Sequence, residues 1–403
     1  MSTELSYRAV LRTRHVARSF LSSIVGRLSL ATSGLALVLL LERSTGSFAI
    51  AGAVTAVLGI ASVAATPWRA RLIDRRGQAV VLTALSLGHA ASLVALGLSS
   101  HAGLPILLCL SVLAGASAPP FAATMRVLWS AALPPGGLRT RGLSLDAVAG
   151  EVTFAVGPLV TALLAVIVDP LASLLLSAGC AVVGAALFVA SPLSRRQRGS
   201  RHAEHADHAD HTEPITPSPL RSRGFPPVVF AMLVPGMVLG FMEIAAPALA
   251  AAQSDLLLSG VLLALFAGAS GIGGLLYGSM QLRPDRERQM LVLALALLVV
   301  TAVAGLVGGT IAALIGFALS GLCLAPVLIV GYLAADARTA PQVHTEANGW
   351  IDTAVSLGAA LGAALFGALT STAAPGHALA ISAVVPAVVI AICAPFLLRS
   401  QHP

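Results

Sequence analysis

Three ionisable residues stand inside stretches that are otherwise apolar: Arg27 in "SSIVGRLSLATSG", Glu151 in "SLDAVAGEVTFAVGP" and Glu243 in "GMVLGFMEIAAPALA". A charge held in hydrocarbon is costly, and where it persists it marks an ion, proton or substrate pathway. Glu151 falls ~12 Å into its apolar run counted from Leu143, and Arg27 ~16 Å into its own counted from Val16. Similar depth makes a pair between them the simplest way to carry both charges, as a functional element or as a static packing contact. Glu243 has no basic residue at comparable depth in its half of the chain. It is expected to exchange protons in a cavity, or else to snorkel to water. Arg126, in "FAATMRVLW", is placed to bind an anionic group or to snorkel toward the nearer surface.

Other residue types exclude whole classes of chemistry. All 24 basic residues are arginine. Without lysine there is no phosphate-loop amine, Schiff base or S-x-x-K nucleophile, so an energy source must be a gradient or a partner protein. No GxSxG or HExxH motif is present. The cysteines Cys109, Cys180, Cys323 and Cys393 occur singly in apolar runs and read as packing residues. "HAEHADHADH" spaces His202, His205, His208 and His211 among acids. It offers weak metal affinity at most, and a low-complexity tether is the simpler reading. No metal site, cofactor or enzymatic activity is expected.

These side chains must be positioned by helices. With 57% hydrophobic and 10% charged residues, the chain has too little polar surface for a water-soluble globule. Runs of about 20 apolar residues occur at 16–41, 48–67, 79–98, 104–125, 143–168 and 170–190. Six more follow at 226–252, 256–280, 290–308, 310–335, 347–372 and 378–398. The first run exceeds a signal-peptide core of roughly 7 to 15 residues and is expected to be a retained span. The expected fold is an all-α integral membrane protein. Its twelve transmembrane helices form two six-helix bundles, 1–192 and 225–403, related by pseudo-twofold symmetry and joined by a cytoplasmic linker rich in His, Arg and Pro at 193–224.

Arginine placement orients the spans, because short cytoplasmic loops carry the excess of positive charge. With the N-terminus inside, Arg69, Arg71, Arg75, Arg76, Arg139, Arg141, the arginines of 195–223, Arg283, Arg286, Arg288, Arg338 and Arg399 fall on the cytoplasmic side, against Arg43 on the other. Both termini are therefore expected in the cytoplasm and the chain in the plasma membrane. The net charge of +7 reports this orientation and implies no nucleic acid. Three matches between the halves support a duplication: "DRRGQ" from Asp74 with "DRERQ" from Asp285, Ala118-Pro119 with Ala325-Pro326, and Leu145-Asp146 with Ile351-Asp352, all at offsets of about 206 to 211 residues.

"ARLIDRRGQAVVL", residues 70–82, resembles the loop between the second and third helices of the major facilitator superfamily, through Leu72, Asp74, Arg75, Gly77 and Leu82. Ala70 and Gln78 depart from the pattern. The resemblance implies a breakable latch in which Asp74 meets the positive end of the eleventh helix and helps hold the outward-facing state; a solvated turn is the plainer reading. Asp285 and Arg286 occupy the corresponding place in the second half. Asp146, about 5 Å from the expected start of the fifth span, and its counterpart Asp352 read as a symmetric gate. Gly157 and Pro158 match part of the fifth-helix pattern of drug and proton antiporters and read as a hinge. "GASGIGGLLYG" and "GAALGAALFG" are expected to let helices of the two halves approach and slide.

The implied function is secondary active transport by alternating access, with proton-coupled efflux of a small organic or hydrophobic compound. Alternatives are uptake or facilitated diffusion of a small metabolite, a transport-like sensor, or a membrane-embedded enzyme. The expected partners are a small-molecule substrate, protons and the lipid bilayer, with the chain acting as a monomer.

Overall fold

A backbone in hydrocarbon has no water to bond, so an apolar chain must close its hydrogen bonds within each segment, and helices do this. The computed structural model describes residues 6–196, 218–222, 224–253, 256–280, 286–370 and 373–399, and these are helical with no strand among them. Among the described residues, twelve helices are long and apolar enough to cross a membrane. The first six are Val16–Thr45, Ile50–Arg76, Gln78–Leu98, Leu104–Ala132, Gly137–Ile167 and Pro170–Val189. The second six are Phe225–Ala250, Leu258–Ser279, Arg286–Val307, Gly309–Arg338, Pro341–Thr370 and Pro375–Leu398. They are called the first to twelfth spans below. Asp285 and the histidines of 202–211 lie outside the described residues, as does most of the expected linker.

Each span agrees in place with an apolar run, and the ends differ in an informative way. The second span continues to Arg76, so Leu72, Asp74 and Arg75 belong to its last turns and not to a loop. Arginine is a good helix former and complements the negative C-terminal end, so a helix persists where apolar character stops. The turn itself is Gly77 alone, with φ 89° and ψ 151°, which caps one helix through its N–H on Ile73 O and opens the next. That backbone region belongs to glycine. The fifth span starts at Gly137. Asp146 therefore lies ~13 Å into the helix, deeper than the sequence implied, and is 4% exposed.

The described chain divides into two compact units. One holds the described residues of Met1–Pro134, Val152–Thr216 and Gln342–Gly349; the other holds those of Pro135–Glu151, Pro217–Pro341 and Trp350–Pro403. In the first unit the first span packs on the sixth through glycine, a Cβ at Gly184 falling 2.5 Å from the Gly26 backbone. Hydroxyl pairs add to this, Thr32 to Ser177 between the same helices and Ser19 to Ser191 just past the end of the sixth, each at 2.6 Å. In the second unit the seventh and eleventh spans interlock. Gly236 and Gly240 face Val355 O and Ala359 O, and Gly358 and Gly362 face Leu233 O and Met237 O, at separations no side chain fits. Such contacts replace the hydrophobic drive that is missing between helices in lipid. "GAALGAALFG" thus grips a helix of its own half. The outward faces stay apolar, with Val166 85%, Leu98 76% and Ile311 75% exposed, as lipid contact requires.

Candidate functional site

The end of the second span carries the first cluster. Asp74 accepts from the backbone N–H of Glu346 at 2.7 Å and of Thr345 at 3.3 Å. These belong to the first turn of the helix His344–Thr370, whose N–H groups have no partner within the helix. The carboxylate thus caps the positive end of the eleventh span. Three residues earlier, Arg71 makes a two-pronged contact with Glu346: Nε to Oε2 at 2.9 Å and Nη2 to Oε1 at 2.5 Å. The Glu346 side chain is only 2% exposed. Gly349 completes the seam, since a Cβ there would lie 3.0 Å from Ala70 Cβ and 3.4 Å from Thr66 O. Thr66, Ala70, Arg71 and Asp74 recur at helical spacing and line one side of the second span. Arg75 and Arg76 are exposed.

A second cluster lies where sequence reading saw only topology. The fourth span is broken into Leu104–Ala116 and Phe121–Ala132, separated by Ser117-Ala118-Pro119-Pro120. Two prolines supply no N–H, which leaves carbonyls of the preceding turn open. Arg69, expected on the cytoplasmic side, is 3% exposed and reaches into this break. Its Nη1 donates to Gly115 O at 2.9 Å and to Ala118 O, and its Nη2 donates to Ser62 O at 2.7 Å and Thr66 Oγ1 at 2.8 Å. His89 of the third span, fully buried, places Nδ1 2.7 Å from Ala114 O. A carbonyl only accepts, so the proton sits on Nδ1.

The carboxylates in the spans have specific surroundings. Glu151 is half-buried, and its Oε1 accepts from Ser270 Oγ at 2.9 Å. Ser270 is fully buried on the eighth span, beside Gly271 and Gly274, whose missing side chains leave room for Val148 and Ala147 of the fifth span. This hydroxyl partner was not foreseen, because a single serine in an apolar run has no pattern to reveal it. Glu243 is exposed on the seventh span. Arg27 is 9% exposed and Arg126 half-buried, both in the first unit. Asp352 accepts from Tyr332 Oη at 2.7 Å. Arg286 donates to Leu333 O at 2.7 Å, and Arg141 to Ser279 O at 3.3 Å. Gly157 presses on Ala31, where a Cβ would lie 2.7 Å from Ala31 Cβ, and the helix continues through Pro158. Among the described residues no group of three His, Cys, Asp or Glu is placed to hold a metal ion.

Comparison with solved structures finds the same fold in proteins of distant sequence. The human organic anion transporter MFSD10 (TETRAN) aligns with a TM-score of 0.70 at 16% identity, over 96% of this chain and 99% of that one. A bacterial homologue of the iron transporter ferroportin, in an outward-facing state, gives 0.70 at 14% identity, over 97% and 100%. The fucose:proton symporter of E. coli gives 0.68 at 14% identity, over 95% and 99%. Comparison with curated protein sequences yields no match. The sequence profile of the Major Facilitator Superfamily matches residues 19–343. A multi-pass chain of twelve spanning helices, a second helix ending in Asp74, Arg75 and Gly77, and a profile covering most of its length together make this protein a member of the Major Facilitator Superfamily of transporters.

Proposed function

We propose that this transporter couples the efflux of a small organic or hydrophobic compound to proton movement by alternating access, with Glu151 as the proton-carrying group. The observation that carries the reading is Glu151 itself: a carboxylate part-way along a membrane span whose described hydrogen bond comes from a neutral hydroxyl, Ser270. A neutral donor tolerates both protonation states, whereas a fixed ion pair would hold the carboxylate charged. Arg27 and Arg126 are the cations that would meet an anionic moiety of the substrate, and Glu243 is a second proton candidate. The moving bodies are the two six-helix bundles, residues 1–192 and 225–403, with Gly157 and Pro158 as a hinge. Asp74 of the second span, capping the start of the eleventh, acts as a latch, and Asp146, Asp352, Asp285 and Arg286 serve the gate. The arginine distribution supports placing the latch, and both termini, in the cytoplasm of a cell bounded by this membrane.

The test uses purified protein in liposomes. Proton movement is followed while lipophilic cations, antibiotics and small metabolites are supplied under an imposed pH gradient. A ligand-dependent signal in the native chain that disappears in Glu151→Gln supports the assignment; an unchanged signal in that variant removes Glu151 from the coupling path. Uptake by proton symport is the second reading, favoured by likeness in fold to the fucose:proton symporter. It predicts substrate accumulation in the direction of the proton gradient, where efflux predicts movement against it.

A further inference from the structure

We propose that Arg69 is a positioning residue that clamps the break in the fourth span and ties it to the segment of the second span that carries the latch. The four-residue interruption at Ser117-Ala118-Pro119-Pro120 separates two helical pieces. Interrupted spans in transporters need their freed backbone groups satisfied by neighbours. Ser117 N–H returns to Leu113 O and Ala118 N–H turns to Gly115 O, three residues back. The turn is tightened, and Ala114 O loses the backbone donor a regular helix would supply. His89 fills that vacancy from the third span, alongside the Ser117 hydroxyl at 3.3 Å. Arg69 donates to Gly115 O, at the end of the first piece, and to Ala118 O, inside the break, through one nitrogen.

The other nitrogen of the same guanidinium holds its own helix, at Ser62 O and Thr66 Oγ1. Thr66 also backs Gly349 of the eleventh span. The last turns of the second span therefore have two working sides. One, through Thr66, Ala70, Arg71 and Asp74, grips the start of the eleventh span; the other, through Arg69, holds the break that leads into Phe121–Ala132, the helix that bears Arg126. Only a planar fork with several donors spans these four acceptors, so lysine is not an equivalent. A buried guanidinium bonded to neutral oxygens is retained here because the kink supplies those oxygens. Displacing the second-span end therefore strains the Arg69 contacts at Gly115 and Ala118, so the latch and the break in the fourth span are mechanically linked.

Amide hydrogen exchange on the full chain in lipid nanodiscs tests this without any substrate, so its outcome is independent of whether Glu151 carries protons. In Arg69→Gln, exchange at residues 116–123 rises by at least about tenfold, the consequence of leaving buried carbonyls unpaired, and Arg69→Lys falls between this and the native chain. Replacing both prolines, Pro119→Ala with Pro120→Ala, restores N–H donors and removes most of the rise in the Arg69→Gln background. The link to the latch predicts that Asp74→Asn also raises exchange at 116–123, and that this response is absent once Arg69 is Gln. Native-like exchange across the break in a folded Arg69→Gln protein overturns the clamp. An Asp74→Asn variant with no response at the break overturns the link.

Discussion

Arg71 and Glu346 face each other across the second and eleventh spans through two parallel hydrogen bonds, with the acid buried and the base half in solvent. The pair is lopsided. Separating it frees a cation already near water but strands a carboxylate that is not, so the barrier to opening falls mainly on Glu346. Glu346→Gln is expected to weaken this seam by about 1 kcal/mol, the upper range for a partly exposed pair. Cysteine accessibility at Thr345 should rise accordingly. Equal accessibility in variant and native protein would show that the pair does not hold the seam.

Asp74→Asn keeps the size of the side chain and removes its charge at the helix end. A neutral amide oxygen still accepts one N–H but loses the attraction to the positive end of the eleventh span, worth roughly 0.3–1 kcal/mol. The expected result is a shift in the populations seen by distance measurements between spin labels on the second and eleventh spans, with no loss of folded protein. An unshifted distribution would count against the latch.

Gly77→Ala addresses the turn directly. Its φ of 89° with ψ of 151° lies where an L side chain costs about 1–3 kcal/mol. Thermal unfolding in detergent should occur at lower temperature, and Gly46→Ala should cost less, because φ 67° with ψ 16° is a region other residues can visit.

Gly236→Leu or Gly358→Leu places a side chain where a backbone oxygen lies within 2.3 Å of the position a Cβ would take. The seventh and eleventh spans must then part, and the loss should equal or exceed the roughly 1–3 kcal/mol typical of overpacking. Folded yield after detergent extraction is the measure. Substitution at Gly260 or Gly367, which face open space, is the control expected to be tolerated.

Much of this architecture is legible in the sequence because the membrane simplifies the problem. Apolar runs mark the spans, and Gly77 marks a turn that only glycine adopts. Helix ends escape because the apolar run stops at Pro67, whereas the helix goes on to Arg76. The sequence assigns Arg69 a side of the membrane but not its burial, and its donors meet carbonyls at the break next to Pro119 and Pro120. Two adjacent prolines inside a span were the available clue, since they announce acceptors in search of a donor. Glu346 had a weaker clue in its place five residues after Pro341 at a helix start. Ser270 had none, because its partnership with Glu151 depends on how two distant helices align.

The interlock of Gly236 and Gly240 with Gly358 and Gly362 gives the eleventh span the character of a lever. Its first turns are gripped by the second span, while its middle is seated on the seventh by backbone contact. Glycine seats bring the two backbones into close contact at the crossing. If the contacts of Asp74 and Arg71 are the ones that break, Glu346 is the residue freed first, while the glycine seat of the same helix stays closed by backbone contact.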